Sequence, residues 1–428
     1  MAFESLRRFG SLTPGKLFKP SVLPIAIDFG VSGMKILQIE AGEIPKLVAA
    51  SFVPTPPELV NDHGARFDYQ LAALPRAVKQ GGFKGNRAVC AIPAGQTFCK
   101  PMQFQKVEGL SLEQLVQGAV SSHIGCEPSA LVYRHEAVPT PGAQGGRHEV
   151  ICTAVPRTLV DRLLAGMRQA KLEVVGIHSE YVAVLRAFDY ITHRTDDVSL
   201  GTLYMDLGAS ATKVVIAHGI KPVFARVIEM GGRQLDEAVI RQTKCTLTEA
   251  RSKRYCDEGL TVPAPKIAGP RAIDEKMNAM ASAMRGRENG TASAALKDAA
   301  HEERRAGAAL PGLTGDVRLT EAVAAMPQGV DLKEELEILT DEVRMCLRYH
   351  DSLFPGRKLD RAVFMGGEAL HRGLCQHLAK ALRIPVQVAD PMARLVKTGK
   401  EPANGVDLKQ SQPGWAVAVG LCLTPTDL

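Results

Sequence analysis

Two segments far apart in the chain share one pattern of apolar, acidic and small residues. Residues 25–35 have the sequence IAIDFGVSGMK, and residues 203–213 have the sequence LYMDLGASATK. Each segment combines an apolar run long enough for a buried strand with an Asp, a Gly two positions later, small residues in a turn and a second apolar run. The pattern predicts two β-hairpins built on one plan, and therefore two related domains that face each other.

A third predicted strand follows each hairpin. Residues 46–53 continue the first hairpin after the short connection at 41–45, and residues 221–228 continue the second. Successive strands with short connections are typical of antiparallel meanders. Beyond the first meander, helical periodicity at 69–80 and an apolar run at 87–93 indicate a helix and a buried strand. The first domain is therefore predicted to be a mixed sheet with helices.

A different unit is predicted between the two meanders, over residues 101–176. Its pattern indicates a helix at 112–124, strands at 131–137 and 149–155, and a second helix at 157–170. Alternating and helical periodicities in close succession favour a compact α/β unit. Since the segment carries no motif associated with catalysis, it is predicted to be an inserted docking subdomain.

The second half of the chain contains a long segment of unusual composition. Residues 257–330 include no aromatic residue and are rich in Ala, Arg, Glu, Gly and Pro. Because such a segment buries little apolar surface, an exposed helical or partly disordered insertion is predicted. Helical periodicity resumes at 332–349 and precedes an apolar strand at 361–365, while the run at 414–423 is typical of a buried last helix.

These patterns predict seven segments along the chain. The predicted boundaries are 1–23 for a basic N-terminal tail, 24–100 for the first domain, 101–176 for the inserted subdomain, 177–200 for a connecting helix that returns to the first domain, 201–256 for the second domain, 257–330 for the insertion and 331–428 for the rest of the second domain. The tail is interpreted either as a disordered leader or as a weak contact with an anionic membrane surface.

The composition favours a folded globular protein and argues against several other classes. The chain has 428 residues, of which 45% are hydrophobic and 23% charged, so it is expected to form real cores. A net charge of only +6 and an aromatic content of 5% argue against a nucleic-acid channel. Nine cysteines without a C-x-x-C pair are interpreted as buried thiols of a cytoplasmic protein. A transmembrane segment is not expected, because no sufficiently long apolar run is present.

The two turns carry the candidate chemistry. A phosphate group needs backbone N–H groups at close range, and bulky side chains would keep it away. The residues that leave such room are Gly30, Ser32 and Gly33 in the first turn and Gly208, Ala209 and Ser210 in the second. Asp28 and Asp206 stand at the mouths of the turns and would repel phosphate unless a cation lay between them. They are therefore predicted to hold Mg²⁺, largely through water.

The order of these motifs resembles that of the actin-like ATPases. The strand 361–365, the pair Gly366-Gly367 and the following helix look like the adenosine motif of that superfamily and complete its set of three segments. Within it, the chain is most similar to the PilM family of type IV pilus assembly proteins and less similar to the FtsA family. The Gly-Gly turn at 228–235 and the extra module at 101–176 carry this likeness, and the resemblance extends over residues 24–425.

The resemblance implies an α/β fold of the actin-like, duplicated ribonuclease H-like type. ATP would lie in a cleft between the halves, with its phosphates between the hairpins and its adenine against Gly366-Gly367. The further residues implied in nucleotide binding are Ser32, Lys35, Ser210, Thr212, Gly232 and Glu368. Asp206 and Glu180 are the implied catalytic residues, since a carboxylate can orient the attacking water.

Some of these residues keep a second interpretation. Glu180 also suits the first turn of a helix, whose dipole favours a negative charge. Lys35 and Lys213 are interpreted either as phosphate contacts or as solvated strand residues. Glu368 follows the Gly pair where relatives keep a small residue, and Arg251 stands where relatives keep a ribose-binding Glu. At most slow ATP hydrolysis is therefore expected, and binding without hydrolysis is the other expectation.

The leading functional hypothesis is an ATP-binding assembly protein of a type IV pilus or a related type II secretion system. It would recruit the cytoplasmic N-terminal segment of a PilN-like inner-membrane protein, with self-association as a further expectation, and would be cytoplasmic but held at the inner membrane. One alternative is an FtsA-like cell-division filament. Another is a small-molecule kinase, which would need a catalytic Asp that residues 91–105 do not provide.

Overall fold

Two six-stranded sheets on one plan form the centre of the protein. The computed structural model describes residues 21–138, 147–191, 200–255, 313–314, 330–424 and 426. The first sheet has the order β15-β3-β2-β1-β4-β8. Its strands are β1 (Ile25–Phe29), β2 (Gly33–Glu40), β3 (Lys46–Pro54), β4 (Arg87–Ala91), β8 (Glu173–His178) and β15 (Ala403–Asn404).

The second sheet has the order β11-β10-β9-β13-β14-β12 and repeats five strands of the first, with its sixth strand at the opposite edge. Its strands are β9 (Gly201–Leu207), β10 (Thr212–His218), β11 (Lys221–Ile228), β12 (Leu313–Thr314), β13 (Arg361–Met365) and β14 (Val386–Ala389). In each sheet three antiparallel strands are followed by parallel neighbours of the first strand. The predicted meanders and the mixed α/β fold class are confirmed.

Nine helices are described outside the short 3₁₀ turns. They are α1 (His63–Gln80), α2 (Leu112–Ile124), α3 (Arg157–Gln169), α4 (Glu180–Ala187), α5 (Gly232–Thr243), α6 (Leu247–Tyr255), α7 (Lys333–Leu353), α8 (Arg372–Leu382) and α9 (Ala416–Cys422). Helix α1 begins six residues before the predicted start because the Asp62 side chain accepts a hydrogen bond from the Ala65 N–H and caps it. Among the described residues, no helix combines the length and the apolar character needed to cross a bilayer.

The inserted unit is smaller than predicted. It contains a three-stranded sheet of β5 (Phe98–Gln105), β7 (Arg147–Pro156) and β6 (Leu131–Val138), together with α2. Helix α3, which the prediction placed in this unit, instead buries Leu163 and Met167 in the core of the first sheet. Strand β8 pairs with β4 of that sheet. Periodicity revealed the buried face of α3 but not the surface that covers it.

The three-stranded unit also contacts the second half. Strands β5, β6 and β7 all lie against β11. Val138 and Ile151 of the unit belong to the apolar core of the second half. The Tyr349 hydroxyl of α7 donates to Glu149 Oε2 of β7 at 3.3 Å. The unit therefore bridges both halves, although it is inserted in the first.

Helices α4 and α9 cross between the two sheets. The core around them joins Ala26 and Leu37 of the first half to Tyr204 and Val363 of the second. A Cβ atom added at Gly420 would lie 1.7 Å from the Ala183 carbonyl oxygen, so the two backbones approach as closely as glycine permits. The predicted buried last helix is thus confirmed, and it lies at the junction of the halves.

Two predicted segments lie largely outside the described residues. The basic tail is described only from residue 21 onward. The insertion at 257–330 is described only at residues 313–314, which form β12, and at residue 330. Their predicted helical or disordered character therefore stays a prediction.

A pair of histidines lies between β10 and α7. His218 Nε2 and His350 Nε2 are 2.9 Å apart, and the His218 ring packs edge-on against Phe354. Burial lowers the pKa of His218 from 6.5 to about 4, with smaller effects of Arg357 and His350 in the same direction. Burial also lowers the pKa of His350. The pair is therefore neutral at pH 7.

Stability is expected to fall as this pair is forced to take up protons. Between pH 6.5 and 4 the unfolded His218 binds more protons than the folded one, so stability rises with pH in this window. We expect the free energy of unfolding to drop by about 1–2 kcal/mol more between pH 7 and pH 4.5 in the wild type than in a His218→Leu/His350→Leu variant. Urea unfolding at both pH values measures this drop. An equal drop in the wild type and in the variant would contradict the assignment.

Candidate functional site

The two hairpins present the same charged pair at equivalent positions. Asp28 of β1 lies directly across from Lys35 of β2, and Asp206 of β9 lies directly across from Lys213 of β10. Lys35 Nζ is 3.2 Å from Asp28 Oδ2, and Lys213 Nζ is 2.7 Å from Asp206 Oδ2. The repeat seen in the sequence is therefore a repeat of chemistry, since each hairpin carries its own carboxylate and ammonium.

Lys213 also reaches the first half of the protein. Its Nζ forms an ion pair with Glu180 Oε2 at the start of α4. The other oxygen, Glu180 Oε1, accepts a hydrogen bond from the Ala94 N–H at 2.8 Å. Both oxygens of the predicted catalytic carboxylate are thus bound by protein groups. The solvated-strand interpretation of Lys213 is wrong, because its side chain is only 17% exposed.

Charge balance determines the protonation of this cluster. Burial by itself would lower the pKa of the Lys213 ammonium, but the nearby Asp206, Glu180 and Asp28 outweigh it and hold that pKa above its ordinary value. Burial raises the pKa of Glu180, while Lys213 opposes this change. We conclude that Lys213 is charged at neutral pH, since three carboxylates surround it.

The turns themselves offer unused backbone donors. In the described part of the chain, the N–H groups of Val31 and Ser32 in the first turn, and of Ala209 and Ser210 in the second, donate to no backbone carbonyl. Adjacent free N–H groups form a concave site suited to an anion. The predicted phosphate-binding turns therefore have the required donors in both halves.

Helix α5 is fastened to the second turn. The N–H of Gly232 donates to the Gly208 carbonyl at 3.0 Å, and the N–H of Arg233 donates to the Ala209 carbonyl at 2.7 Å. A Cβ atom at Gly231 would lie 2.4 Å from the Gly208 oxygen, so only glycine permits this approach. Gly232 thus holds the turn in shape through its backbone, and its contact with nucleotide stays a prediction.

Two other predicted phosphate contacts have structural roles. The Thr212 hydroxyl donates to the Met230 carbonyl at 2.8 Å, and its side chain is buried. A Cβ atom at Gly33 would lie 2.4 Å from the ring of Phe52, so this glycine makes room for an aromatic side chain of β3. These packing roles are in addition to the predicted phosphate contacts, which stay predictions.

The predicted adenosine segment lies at the same sheet edge as Asp206. Strand β13 is a parallel neighbour of β9, with Met365 in register with Asp206. Gly366 follows with a φ of +95°, and a Cβ atom there would lie 2.5 Å from Asp206 Oδ1. Glycine is therefore needed for the chain to pass the carboxylate. Gly367 lies beside it, with space for a larger residue.

Glu368 lies in a buried network of charges that the sequence did not reveal. Its Oε2 accepts hydrogen bonds from Arg254 Nη1 and from the Tyr255 hydroxyl, both at 2.9 Å. Arg254 also donates to Asp236 Oδ1 at 2.7 Å, and Asp236 is fully buried. Burial would lower the pKa of Arg254, but Glu368 and Asp236 outweigh it and raise that pKa. The charge of Glu368 is thus balanced inside the protein.

The Glu368 carboxylate also lies against Gly232, at the start of α5. A Cβ atom added at Gly232 would lie 2.0 Å from Glu368 Oε1. Arg251 pairs with Asp236 at 3.2 Å. The segment predicted to receive adenosine is therefore lined by paired charges, a departure that the sequence indicated only at Glu368 and Arg251.

Polar and charged side chains of α1 and α5 lie close to the two turns. Arg233 Nη1 of α5 donates to Asn61 Oδ1 at 2.7 Å and so joins the two halves. Burial, followed by the charge of Arg233, lowers the pKa of Arg66. One turn further along α1, Gln70 Nε2 donates to the Gly30 carbonyl of the first turn at 2.7 Å. These residues were missed because only the fold brings them together.

The predicted metal ligands are arranged differently from a metal site. Asp28 and Asp206 each hold a lysine ammonium. Within the described ranges, no group of three or more His, Cys, Asp or Glu side chains is placed to bind a metal ion. The residues present therefore do not fit a resident Mg²⁺ ion.

Comparison with solved structures shows the fold. The chain matches a PilM-PilN type IV pilus biogenesis complex with a TM-score of 0.62 and 20% identity, covering 94% of this chain and 98% of that one. It also matches the ethanolamine utilization protein EutJ from Carboxydothermus hydrogenoformans (TM-score 0.44, 14% identity, 95% and 90% covered). A third match is MreB5 of Spiroplasma citri bound to ADP (TM-score 0.41, 12% identity, 92% and 94% covered). The fold is that of the actin-like ATPases.

The family follows from the sequence of the first half and of the second meander. The family described as type IV pilus assembly protein PilM matches residues 26–259, which include both hairpins, the three-stranded unit and α5. This region is more than half of the 428 residues. The chain therefore belongs to the PilM family of type IV pilus assembly proteins.

Proposed function

We propose that this protein binds ATP between its two hairpins and recruits the cytoplasmic N-terminal segment of a PilN-like inner-membrane protein during pilus assembly. The observation that carries the nucleotide part is the pair of equivalent turns, each with free N–H groups and an Asp–Lys pair. Two anion-binding turns that face one cleft suit a polyphosphate better than a single phosphate. The proposed location is the cytoplasm, next to the inner membrane.

The state of Glu180 supports binding without rapid hydrolysis. A catalytic carboxylate must have an oxygen free to orient the attacking water. Here Lys213 and the Ala94 N–H bind the two oxygens. Turnover would require this ion pair to open in every cycle. We therefore propose that the protein is at most a slow ATPase and acts mainly through its bound state.

The three-stranded unit is the proposed docking surface. Val107, Leu110 and Ile124, all in or beside this unit, are exposed apolar residues. The PilM-PilN complex to which the chain is similar is, by its name, an assembly of two pilus proteins. An exposed apolar surface on a unit without catalytic residues suits a short amphipathic partner segment. The same surface is the proposed seat of a PilN-like peptide.

A calorimetric titration tests both parts in one experiment. We expect the wild type to bind ATP, and Ser210→Asp to weaken that binding at least tenfold, because it places a carboxylate in the second turn. The matched control is Ser352→Asp on the exposed end of α7, which should leave the affinity unchanged. The N-terminal peptide of the PilN-like partner should bind the wild type and lose affinity with Leu110→Glu. Absence of both binding events would refute the proposal.

A further inference from the structure

We infer that Lys213 takes the place of a divalent cation in this cleft, so that ATP, if the proposed function holds, is bound without Mg²⁺. The Lys213 ammonium lies on Asp206 Oδ2 at 2.7 Å and on Glu180 Oε2. These carboxylates belong to opposite halves, the first to β9 and the second to the start of α4. A single buried cation therefore ties the halves together where a metal ion was expected.

The carboxylates of the site already hold the two lysines. Asp28, Asp206 and Glu180 supply three negative charges, and Lys35 and Lys213 supply two positive charges. Adding a divalent ion would place it beside a lysine that is only 17% exposed and cannot readily move its charge into water. Like charges at such close range in a buried site repel strongly. Metal binding would thus require Lys213 to leave its two partners.

A small cavity adjoins the ion pair on the side away from the two turns. It is lined by Glu180, Lys213 and Thr97 among other residues, but not by Asp28 or Asp206. Its volume of about 20 Å³ accommodates about one water molecule. Lys213 therefore has little room to withdraw from its two carboxylates in that direction.

The backbone of the second hairpin holds Lys213 next to Asp206. Lys213 lies directly across from Asp206 in the ladder between β9 and β10, so the backbone holds the pair in register. Lys35 and Asp28 repeat the arrangement in the other half. A polyphosphate that entered between the turns would meet two ammonium groups already in place. Ammonium groups, and not a metal ion, would then contact its oxygens.

Removal of the lysine is expected to create a metal site. Lys213→Ala leaves Asp206 and Glu180 facing each other without a cation. We expect this variant to bind Mn²⁺, seen by electron paramagnetic resonance without nucleotide, and to be stabilised by Mn²⁺ in thermal unfolding. The wild type should show neither effect. Lys213→Arg keeps the charge and should behave as the wild type does.

Two further measurements keep the test decisive if the variant misfolds or if the proposed function fails. Lys213→Met/Asp206→Asn removes one charge of each sign and should bind no Mn²⁺. If Lys213→Ala does not fold, the wild type still decides, because its affinity for ATP should change less than threefold between EDTA and excess Mg²⁺. Tight Mn²⁺ binding by the wild-type protein alone, or ATP binding that requires Mg²⁺, would overturn the inference. Loss of ATP binding in both buffers would refute the proposed function only.

Discussion

Replacing Arg254 by Met is expected to lower the free energy of unfolding by about 3–5 kcal/mol, because it removes the buried cation that two buried carboxylates share. Arg254 donates to Asp236 Oδ1 at 2.7 Å and to Glu368 Oε2 at 2.9 Å, and its side chain is only 1% exposed. Methionine has a similar length and fills the same space. The loss of stability would therefore come mainly from the missing charge and hydrogen bonds and less from changed packing. Urea unfolding followed by circular dichroism measures it.

A neighbouring arginine supplies the matched control. Arg251 pairs with the same Asp236 at 3.2 Å, but its side chain is 49% exposed. Ion pairs with an exposed partner contribute about 0–1 kcal/mol, so Arg251→Met should have a small effect. Adding Glu368→Gln to the Arg254→Met variant should restore part of the lost stability. Equal losses for the two arginine variants would show that burial does not govern this network.

Replacing Gly420 by Ala is expected to lower the free energy of unfolding by about 3 kcal/mol, at the upper end of the usual cost of overpacking. The new Cβ atom would lie 1.7 Å from the Ala183 carbonyl oxygen, and a backbone group cannot turn aside as a side chain can. Helices α4 and α9 would have to separate at the junction of the two halves. Differential scanning calorimetry and urea unfolding measure the effect.

A second helical glycine gives the opposite expectation. Gly118 lies within α2, and a Cβ atom there would meet nothing within 4 Å. Alanine has a higher helix propensity, so Gly118→Ala should raise stability by about 0.5–1 kcal/mol. The same chemical change is thus expected to differ in sign between the two helices. A gain in stability from Gly420→Ala would contradict the close crossing.

Local features of the chain could be predicted because their causes are local. Helix α2 has the predicted bounds, since Ser111 and Gln114 form a capping box and Gly125 ends the helix in the left-handed conformation. The two meanders follow from alternating apolar strands joined by short turns. The repeated Asp-x-Gly pattern marks the two strand ends that face the cleft.

Features that depend on distant contacts could not be predicted in the same way. Lys213 was left between two interpretations because its partner Glu180 is 33 residues away, and Glu368 looked unfavourable because Arg254 is 114 residues away. A buried lysine in a strand and a solvated one have the same local pattern. The packing roles of Gly33 and Thr212 could not be predicted, since nothing in the turns reveals what lies behind them.

The position of the three-stranded unit has a mechanical consequence. Its strands rest on β11 of the second half, yet its chain enters and leaves through the first half. A rotation of one half against the other about the crossing of α4 and α9 would therefore slide β11 along the face of this unit. A peptide bound to the unit would therefore meet a binding surface whose shape changes with this rotation. The affinity for a partner and the separation of the two hairpins would then both depend on the angle between the two halves.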